Sequence, residues 1–259
     1  MRHASLVVLL LCGGSQAAEW APPENPQPAL ILREAQEDAH AGRYGLALEK
    51  QLWFHRNALK YEQGLRAVRL SFALSYWARL ADQYPPARAA LEEVRDEAWA
   101  GVLSALSPTT AFESFQEFAA INRTLRDDAR TVAGFDEVDQ ERPDLAAQLI
   151  SLARPALLRI GDYSTCAKYI SPDDARRATE AYRHSREEAA AGRLPEDTVG
   201  FAEKRFENEV STIVALLVVS GREVEARRVV ADVEHERSDP AFKAALDAAL
   251  QGTVPEPWP

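Results

Sequence analysis

The 259-residue sequence has little cysteine, methionine, glycine or lysine: two, one, twelve and five residues, respectively. Two cysteines are too few for a small secreted fold held together by several disulfides, so packing must supply the stability. Few lysines and a net charge of −10 argue against a general nucleic-acid binder or a polybasic membrane adaptor. Long apolar runs are also missing, because none reaches the roughly 20 residues of a spanning helix.

Alanine and arginine are abundant instead, with 45 alanines and with 25 of the 30 basic residues being arginine. Alanine is the best helix former and glycine is among the worst, so this balance favours an all-helical fold. Hydrophobic residues make up 46% of the chain, which is enough to bury a core and excludes wholesale disorder. The composition therefore predicts a folded, all-α protein.

The first eighteen residues have the layout of a secretory signal peptide. A short basic start precedes an apolar run that ends at Leu11, and small residues follow up to Ala18. The pattern predicts a leader over residues 1–18, cleaved after Ala17 or Ala18, and hence a periplasmic or secreted protein. The alternative is an envelope lipoprotein with a lipid anchor at Cys12, although lipoprotein signals prefer a small residue immediately before that cysteine.

The rest of the chain reads as one array of helices. Residues 19–28 are rich in proline and predict an extended tether. From residue 29 to residue 259, helical stretches alternate with short breakers, and no low-complexity linker divides them. The run from Val210 to Val219 is rich in β-branched residues, but its helical flanks favour a buried helix over a strand. We expect about a dozen helices in a single domain over residues 29–259.

Local signals predict several helix boundaries. Residues 65–82 form one continuous helical pattern. Thr110 and Glu113 fit a capping box at a helix start, and Ser171, followed by proline and two acids, marks another start. Pro155 interrupts a helical stretch and predicts a kink or an early end.

A short motif recurs three times: a glycine, an aromatic residue two positions later, and a small residue three positions after that. The copies are Gly42/Tyr44/Ala47, Gly161/Tyr163/Cys166 and, with glutamate in the aromatic place, Gly221/Glu223/Ala226. A weaker fourth copy involves Phe115, Phe118, Ala119 and Phe135. The glycine ends one helix in a turn, and the small residue lets two helices approach closely.

This motif resembles the tetratricopeptide-repeat family, whose unit is a helix–turn–helix pair. The resemblance implies stacked antiparallel helix pairs that form an irregular tetratricopeptide-like α-solenoid, because the glycines do not follow the usual repeat length. Another α-solenoid or an irregular helical bundle is the alternative. Residues 52–59, 69–77 and 84–87 also resemble an uncharacterised family of secreted bacterial helical-repeat proteins, which supports the architecture and the compartment but implies no activity.

Aromatic residues crowd into the first third of the chain. Because they recur at helical spacing, we expect most of them in the core, with a recognition patch as the alternative for the remainder. They are Trp53, Phe54, Phe72, Tyr76, Trp77, Tyr84 and Trp99.

No catalytic or metal-binding signature is present in the sequence. The histidines lie far apart, and no paired-cysteine spacing, nucleophile elbow or glycine-rich phosphate loop occurs. Cys166 stands where the repeat requires a small buried residue, so we expect a packed thiol rather than a reactive one. We therefore predict no enzyme activity, no cofactor and no metal.

In tetratricopeptide proteins, one side of each first helix lines a concave groove. Carried over to this sequence, the resemblance implies a near-neutral groove with amide side chains and three arginines in an acidic chain. Its candidate residues are Gln36, His40, Phe72, Arg79, Gln83, Gln116, Arg123, Gln148, Arg159 and Asn208. Amides pair with peptide backbones and arginine pairs with carboxylates, so we predict an extended peptide or protein segment as the ligand.

The sequence thus predicts a periplasmic or secreted scaffold that binds protein or peptide, with no nucleic acid and no transmembrane span. One alternative is a helical enzyme or small-ligand carrier with a site between irregular helices. The other is a subunit of a cell-envelope complex, in which the segment from Pro255 to Pro259 docks on a partner. In that segment, Trp258 would equally pack against its own chain end.

Overall fold

The computed structural model describes residues 20–195 and 197–258. The predicted leader over residues 1–18, its cleavage after Ala17 or Ala18, and the lipid anchor at Cys12 lie outside these residues. The described chain contains thirteen α-helices and one 3₁₀ turn, Gln63–Leu65. The helices are α1 (Pro28–His40), α2 (Tyr44–Tyr61), α3 (Arg66–Arg69), α4 (Phe72–Ala81), α5 (Pro85–Ser104), α6 (Pro108–Leu125), α7 (Asp128–Glu141), α8 (Pro143–Ile160), α9 (Tyr163–Lys168), α10 (Pro172–Ala190), α11 (Asp197–Val219), α12 (Glu223–Val233) and α13 (Pro240–Leu250).

The predicted all-α class is confirmed for residues 20–195 and 197–258, which contain no strand. The β-branched run from Val210 to Val219 is helical and forms the second half of α11, where most of its side chains are fully buried. Over the same residues, no helix is both long enough and apolar enough to cross a membrane.

The chain divides into two units by its internal packing, residues 20–91 and residues 92–258. In the first unit, α1 packs along α2, and α4 packs against both. Its core brings Leu32 of α1 together with Phe54 and Ala58 of α2 and Ala73 of α4. Trp77 is fully buried and donates a hydrogen bond from its indole Nε1 to the carbonyl of Ala87, 2.8 Å away.

In the second unit, α11 is the central helix. It packs against α9, α10, α12 and α13, while α8 packs against α6, α7 and α9. Neighbouring helices cover the β-branched and leucine-rich half of α11 on several sides. A helix buried in this way is apolar around most of its surface, so this half has no continuous polar face. Buried side chains from the second half of α5 to α13 form one hydrophobic core.

The prediction of one helix over residues 65–82 is wrong, because the structure has two helices there, α3 and α4, with a break between Arg69 and Phe72. Ser71 leaves helical geometry with φ −131° and ψ −91°, and its hydroxyl donates to the carbonyl of Ala67. A serine that bonds to a nearby carbonyl competes with the helical backbone, so a continuous apolar pattern did not reveal the break.

Two other predicted boundaries also differ from the structure. Helix α6 begins one turn before the predicted Thr110–Glu113 box, because the hydroxyl of Ser107 accepts from the backbone N–H of Thr110 and Pro108 follows the cap. At Pro155 a kink or an early end is predicted, and of these two the early end does not occur, because α8 runs on to Ile160. Helix α10 begins directly after Ser171, as predicted, and the backbone N–H of Ser171 donates to Oδ2 of Asp174.

The three glycine motifs share one local geometry. Gly42, Gly161 and Gly221 have φ values of +75°, +80° and +76°, in the left-handed region that a side chain disfavours. In each copy, the next helix begins two residues later. The small residue three positions into that helix is buried in all copies: Ala47, Cys166 and Ala226.

Candidate functional site

The first unit carries a cleft between α1, α2 and α4. Its volume is about 120 Å³, and four of the five groove candidates predicted in this unit line it. The remaining candidate, Phe72, is exposed on α4 but is not part of the lining. The lining residues are Ala35, Gln36, Ala39, His40, Tyr44, Ala47, Gln51, Tyr76, Arg79, Leu80 and Gln83.

The polar side chains of the cleft are oriented by specific contacts. The hydroxyl of Tyr44, at the start of α2, donates to Oε1 of Gln83, 2.8 Å away, and so leaves the amide NH₂ of Gln83 as a donor. At the floor, Gln51 is buried and its Nε2 donates to the carbonyl of Ala73 at 2.8 Å. Gln36 donates to the carbonyl of Leu32, one turn back in α1, at 3.3 Å.

Arg79 is the one formally charged residue among the residues that line this cleft. Its guanidinium carbon lies 4.8 Å from the centroid of the Tyr76 ring, a cation–π stack that holds the group over the α4 surface. Among the described residues no carboxylate lines the cleft, although the chain as a whole has a net charge of −10. The formal charge of the lining side chains is therefore positive, and the guanidinium fork of Arg79 suits a carboxylate.

An ion-pair network with the buried Asp38–Lys50 pair at its centre joins α1 to α2 in the same unit. Nζ of Lys50 lies 2.8 Å from Asp38 and 2.9 Å from Glu34, and Arg43 contacts Asp38 at 2.6 Å. Burial opposes the charged form of Asp38, but its hydrogen bonds to Lys50 and Arg43 outweigh this and hold the pKa of the carboxyl below its ordinary value. This network fixes how α1 and α2, which supply most of the cleft, lie against each other.

The two histidines of this unit have different environments. His40 is exposed at the rim of the cleft, whereas His55 is buried edge-on against Trp77, with ring centroids 5.6 Å apart. Nε2 of His55 lies 2.8 Å from Nη1 of Arg69, which only donates, so that ring nitrogen accepts. No group of three or more metal-ligating side chains occurs within the described chain.

The groove candidates of the second unit have less uniform surroundings. Arg159 is held by Asp128 in a two-pronged ion pair at 2.7 and 2.8 Å, a hydrogen-bonded contact that raises the pKa of the guanidinium. Arg123 and Gln148 are exposed on α6 and α8, and Gln116 is half-buried on α6. Asn208 of α11 is different, because its amide donates to a backbone carbonyl of the segment that follows α13.

That contact belongs to a second groove, of about 190 Å³, between α8 and α11. The predicted candidate Asn208 is among its lining residues. The sequence-based groove did not include Arg154 there, nor Tyr44 and Tyr76 of the first cleft. The spacing of Tyr76, Arg79 and Gln83 at three and four residues was an available signal, because it places them on one helix face.

The single described cysteine is structural. Cys166 is fully buried on α9, and burial raises the pKa of its thiol to about 12. A thiol with so high a pKa stays protonated and unreactive at neutral pH. The sequence-based expectation of a packed thiol agrees with this environment.

Comparison with known proteins adds no relative. No model of a known protein family, no curated protein and no solved structure matches this chain.

Proposed function

We propose that this chain is a periplasmic or secreted helical-repeat scaffold that binds an extended segment of a partner protein. The observation that carries the proposal is the cleft of the first unit. Four side chains predicted to line a peptide groove, Gln36, His40, Arg79 and Gln83, line one cavity, and none of its described lining residues is a carboxylate. The shared geometry of the three glycine turns supports a degenerate tetratricopeptide-like array as the architecture that presents it.

The cleft offers the groups that an extended peptide requires. The side-chain amides of Gln36 and Gln83 supply donors for backbone carbonyls, and Arg79 supplies a two-pronged donor for a carboxylate. The stack of Arg79 on Tyr76 orders the guanidinium before the ligand arrives, so less side-chain entropy is lost on binding. The preferred ligand is a peptide with an aspartate or glutamate at one fixed position.

Selection from a random-peptide display library against the full chain tests this proposal. The selected peptides should share an acidic position, and Arg79→Gln should weaken their binding by about tenfold, the loss expected for one charge-assisted contact. The matched control is Arg33→Gln, since Arg33 is an exposed arginine of α1 outside the cleft. Equal binding by the two variants, or selected peptides without a shared acid, would contradict the proposal.

The predicted compartment has its own test. Mass spectrometry of the mature N-terminus should find a chain that begins at Ala18 or Glu19. A lipid-modified Cys12 as the first residue would instead assign the protein to the membrane surface of the envelope. An intact Met1 would contradict both interpretations of the leader.

A further inference from the structure

The segment from Thr253 to Trp258 has no regular secondary structure, and its residues Pro257 and Trp258 line the groove between α8 and α11. After α13 the chain turns at Gly252, whose φ is +81°, and it forms no further helix. The side-chain Nδ2 of Asn208 donates to the backbone carbonyl of Glu256, 2.7 Å away. The ring of Trp258 meets Phe201 edge-on, with centroids 5.4 Å apart and planes at 71°.

These contacts are of the kind that recognise a peptide. The amide of Asn208 binds a main-chain carbonyl, and the ring of Trp258 packs against the exposed ring of Phe201. Neither contact requires the bound segment to be a helix or a strand. Prolines at 255 and 257 flank Glu256 and restrict the segment to extended conformations, so little backbone entropy is lost when it binds.

The α8 wall of the groove contains polar groups to which residues 253–258 make no hydrogen bond. Nε of Arg154 is buried and has no hydrogen-bond partner among the described residues. Pro155 has no N–H, so the carbonyl of Ser151, one turn earlier, lacks the donor that an ordinary helix would supply. Ser151, Arg154 and Pro155 all line the groove beside Pro257 and Trp258.

The groove also extends beyond the point that Trp258 reaches. A neighbouring cavity of about 160 Å³ lies between α10 and α11, and both cavities include Arg205 and Glu209 in their walls. Phe201, which contacts Trp258, also lines that neighbouring cavity and remains 55% exposed. A longer peptide would cover this ring and gain contacts that the chain's own segment does not make.

We propose that the α8–α11 groove is a binding site for an extended, proline-rich segment with an acidic residue and a tryptophan, and that residues 253–258 occupy it in cis until a partner segment displaces them. The proposal extends the proposed peptide-binding function to a second site. It concerns a different unit from Arg79, so the two sites are tested separately. A tethered segment has a millimolar effective concentration, so a weak contact suffices to keep it in place.

The probe is a fluorescent peptide with the sequence of residues 253–259, titrated by anisotropy against three forms of the protein. A variant that ends at Gly252 should bind the peptide at least tenfold more tightly than the full chain does, because nothing competes in cis. The full-length variant Trp258→Ala should show the same direction of change with its chain length intact. Adding Asn208→Ala to the shortened variant should weaken binding at least fivefold.

A peptide of the same composition with its prolines and tryptophan rearranged is the control, and circular dichroism checks that each variant is helical. The proposal is overturned if neither the shortened variant nor Trp258→Ala binds more tightly than the full chain. Equal binding of the rearranged peptide would overturn it too. A concentration-dependent dimer that requires Trp258 would assign the groove to a second copy and likewise contradict displacement by a partner. If Arg79→Gln loses the peptides selected for the first cleft but the shortened chain still binds the 253–259 peptide more tightly, the two sites are independent.

Discussion

The two units of the protein treat buried polar groups differently. In residues 20–91, the buried polar side chains at the α1–α2 and α2–α4 contacts are matched to partners. Asp38 and Lys50 form an ion pair across α1 and α2, and Gln51 donates to a backbone carbonyl near the start of α4. Each of these contacts joins two helices and therefore fixes one relative arrangement of them.

In residues 92–258, several buried polar groups have no such match. Asn122 is 0% exposed, and neither atom of its amide has a hydrogen-bond partner among the described residues. The hydroxyls of Thr131 and Ser211 are buried without a partner as well. Each such group lowers the free energy of unfolding by about 1–3 kcal/mol, and the large apolar core of this unit compensates for that loss.

The difference shows that two all-helical units can be stabilised by different balances of polar pairs and apolar packing. At the helix contacts named above, the small unit has directional polar pairs, whereas the larger core accommodates the unpaired groups of Asn122, Thr131 and Ser211. Removal of a paired buried polar group from the first unit should therefore destabilise the protein, whereas removal of an unpaired one from the second unit should stabilise it. The following predictions sharpen or break that contrast.

Lys50→Met should produce the largest loss of stability. It leaves Asp38 buried with only Arg43 as a charged partner, which should cost about 3 kcal/mol of unfolding free energy. Urea unfolding followed by circular dichroism measures the change. The control is Arg33→Met, which removes an exposed pair with Glu37 at 3.8 Å and should cost no more than about 0.5 kcal/mol. Similar losses for the two variants would contradict the structural role of the buried pair.

Acid should act on the same ion pair, with a smaller effect because protonated Asp38 leaves Lys50 paired with Glu34. Burial opposes ionisation of Asp38, but Lys50 and Arg43 lower its pKa below the value of 3.8 expected when unfolded. The contribution is therefore complete above that value and is lost as the pH falls through the lower, folded pKa. Unfolding free energies between about pH 5 and about pH 2 should fall less steeply in Asp38→Asn than in the parent chain. Identical slopes would mean that Asp38 does not contribute.

Gly134→Ala tests the packing of the second unit. A Cβ atom at this position would come within 3.0 Å of the rings of both Phe118 and Trp99, so the core must shift. We expect a loss of about 1–3 kcal/mol, as for overpacking elsewhere. Gly200→Ala is the matched control, because nothing lies within 4 Å of its added carbon and helix propensity favours alanine by up to about 1 kcal/mol. A neutral Gly134→Ala would show that this core is looser than its geometry indicates.

Sequence reasoning succeeded where neighbouring residues decide the structure. The turns at Gly42, Gly161 and Gly221 depend on one left-handed residue, and the start at Ser171 depends on a cap within one turn. Helix α11 was predicted because its flanks are helical, even though Val210 to Val219 favours a strand locally.

The parts that sequence reasoning missed depend on contacts between residues far apart in the chain. No local pattern predicts the ion pair between Lys50 and Asp38, or the hydrogen bond from Asn208 to the carbonyl of Glu256, 48 residues later. For the cleft, helical spacing was enough to group Arg79 with Gln83. It was not enough to exclude Phe72, which lies outside the lining, because helix periodicity does not show which neighbour covers a face.

Thr131→Val should give the smallest effect, with the opposite sign from Lys50→Met. Thr131 is 1% exposed on α7, and its hydroxyl has no hydrogen-bond partner among the described residues. Valine keeps the branched shape and removes the unsatisfied group, so unfolding should cost about 1 kcal/mol more. Thr179→Val is the matched control in the same unit. The hydroxyl of Thr179, on α10, donates to the carbonyl of Ala175 at 2.8 Å, so its loss should be neutral or slightly destabilising. If thermal melts show equal shifts for the two variants, the unpaired hydroxyl carries no cost, and the contrast between the two units rests on their apolar cores alone.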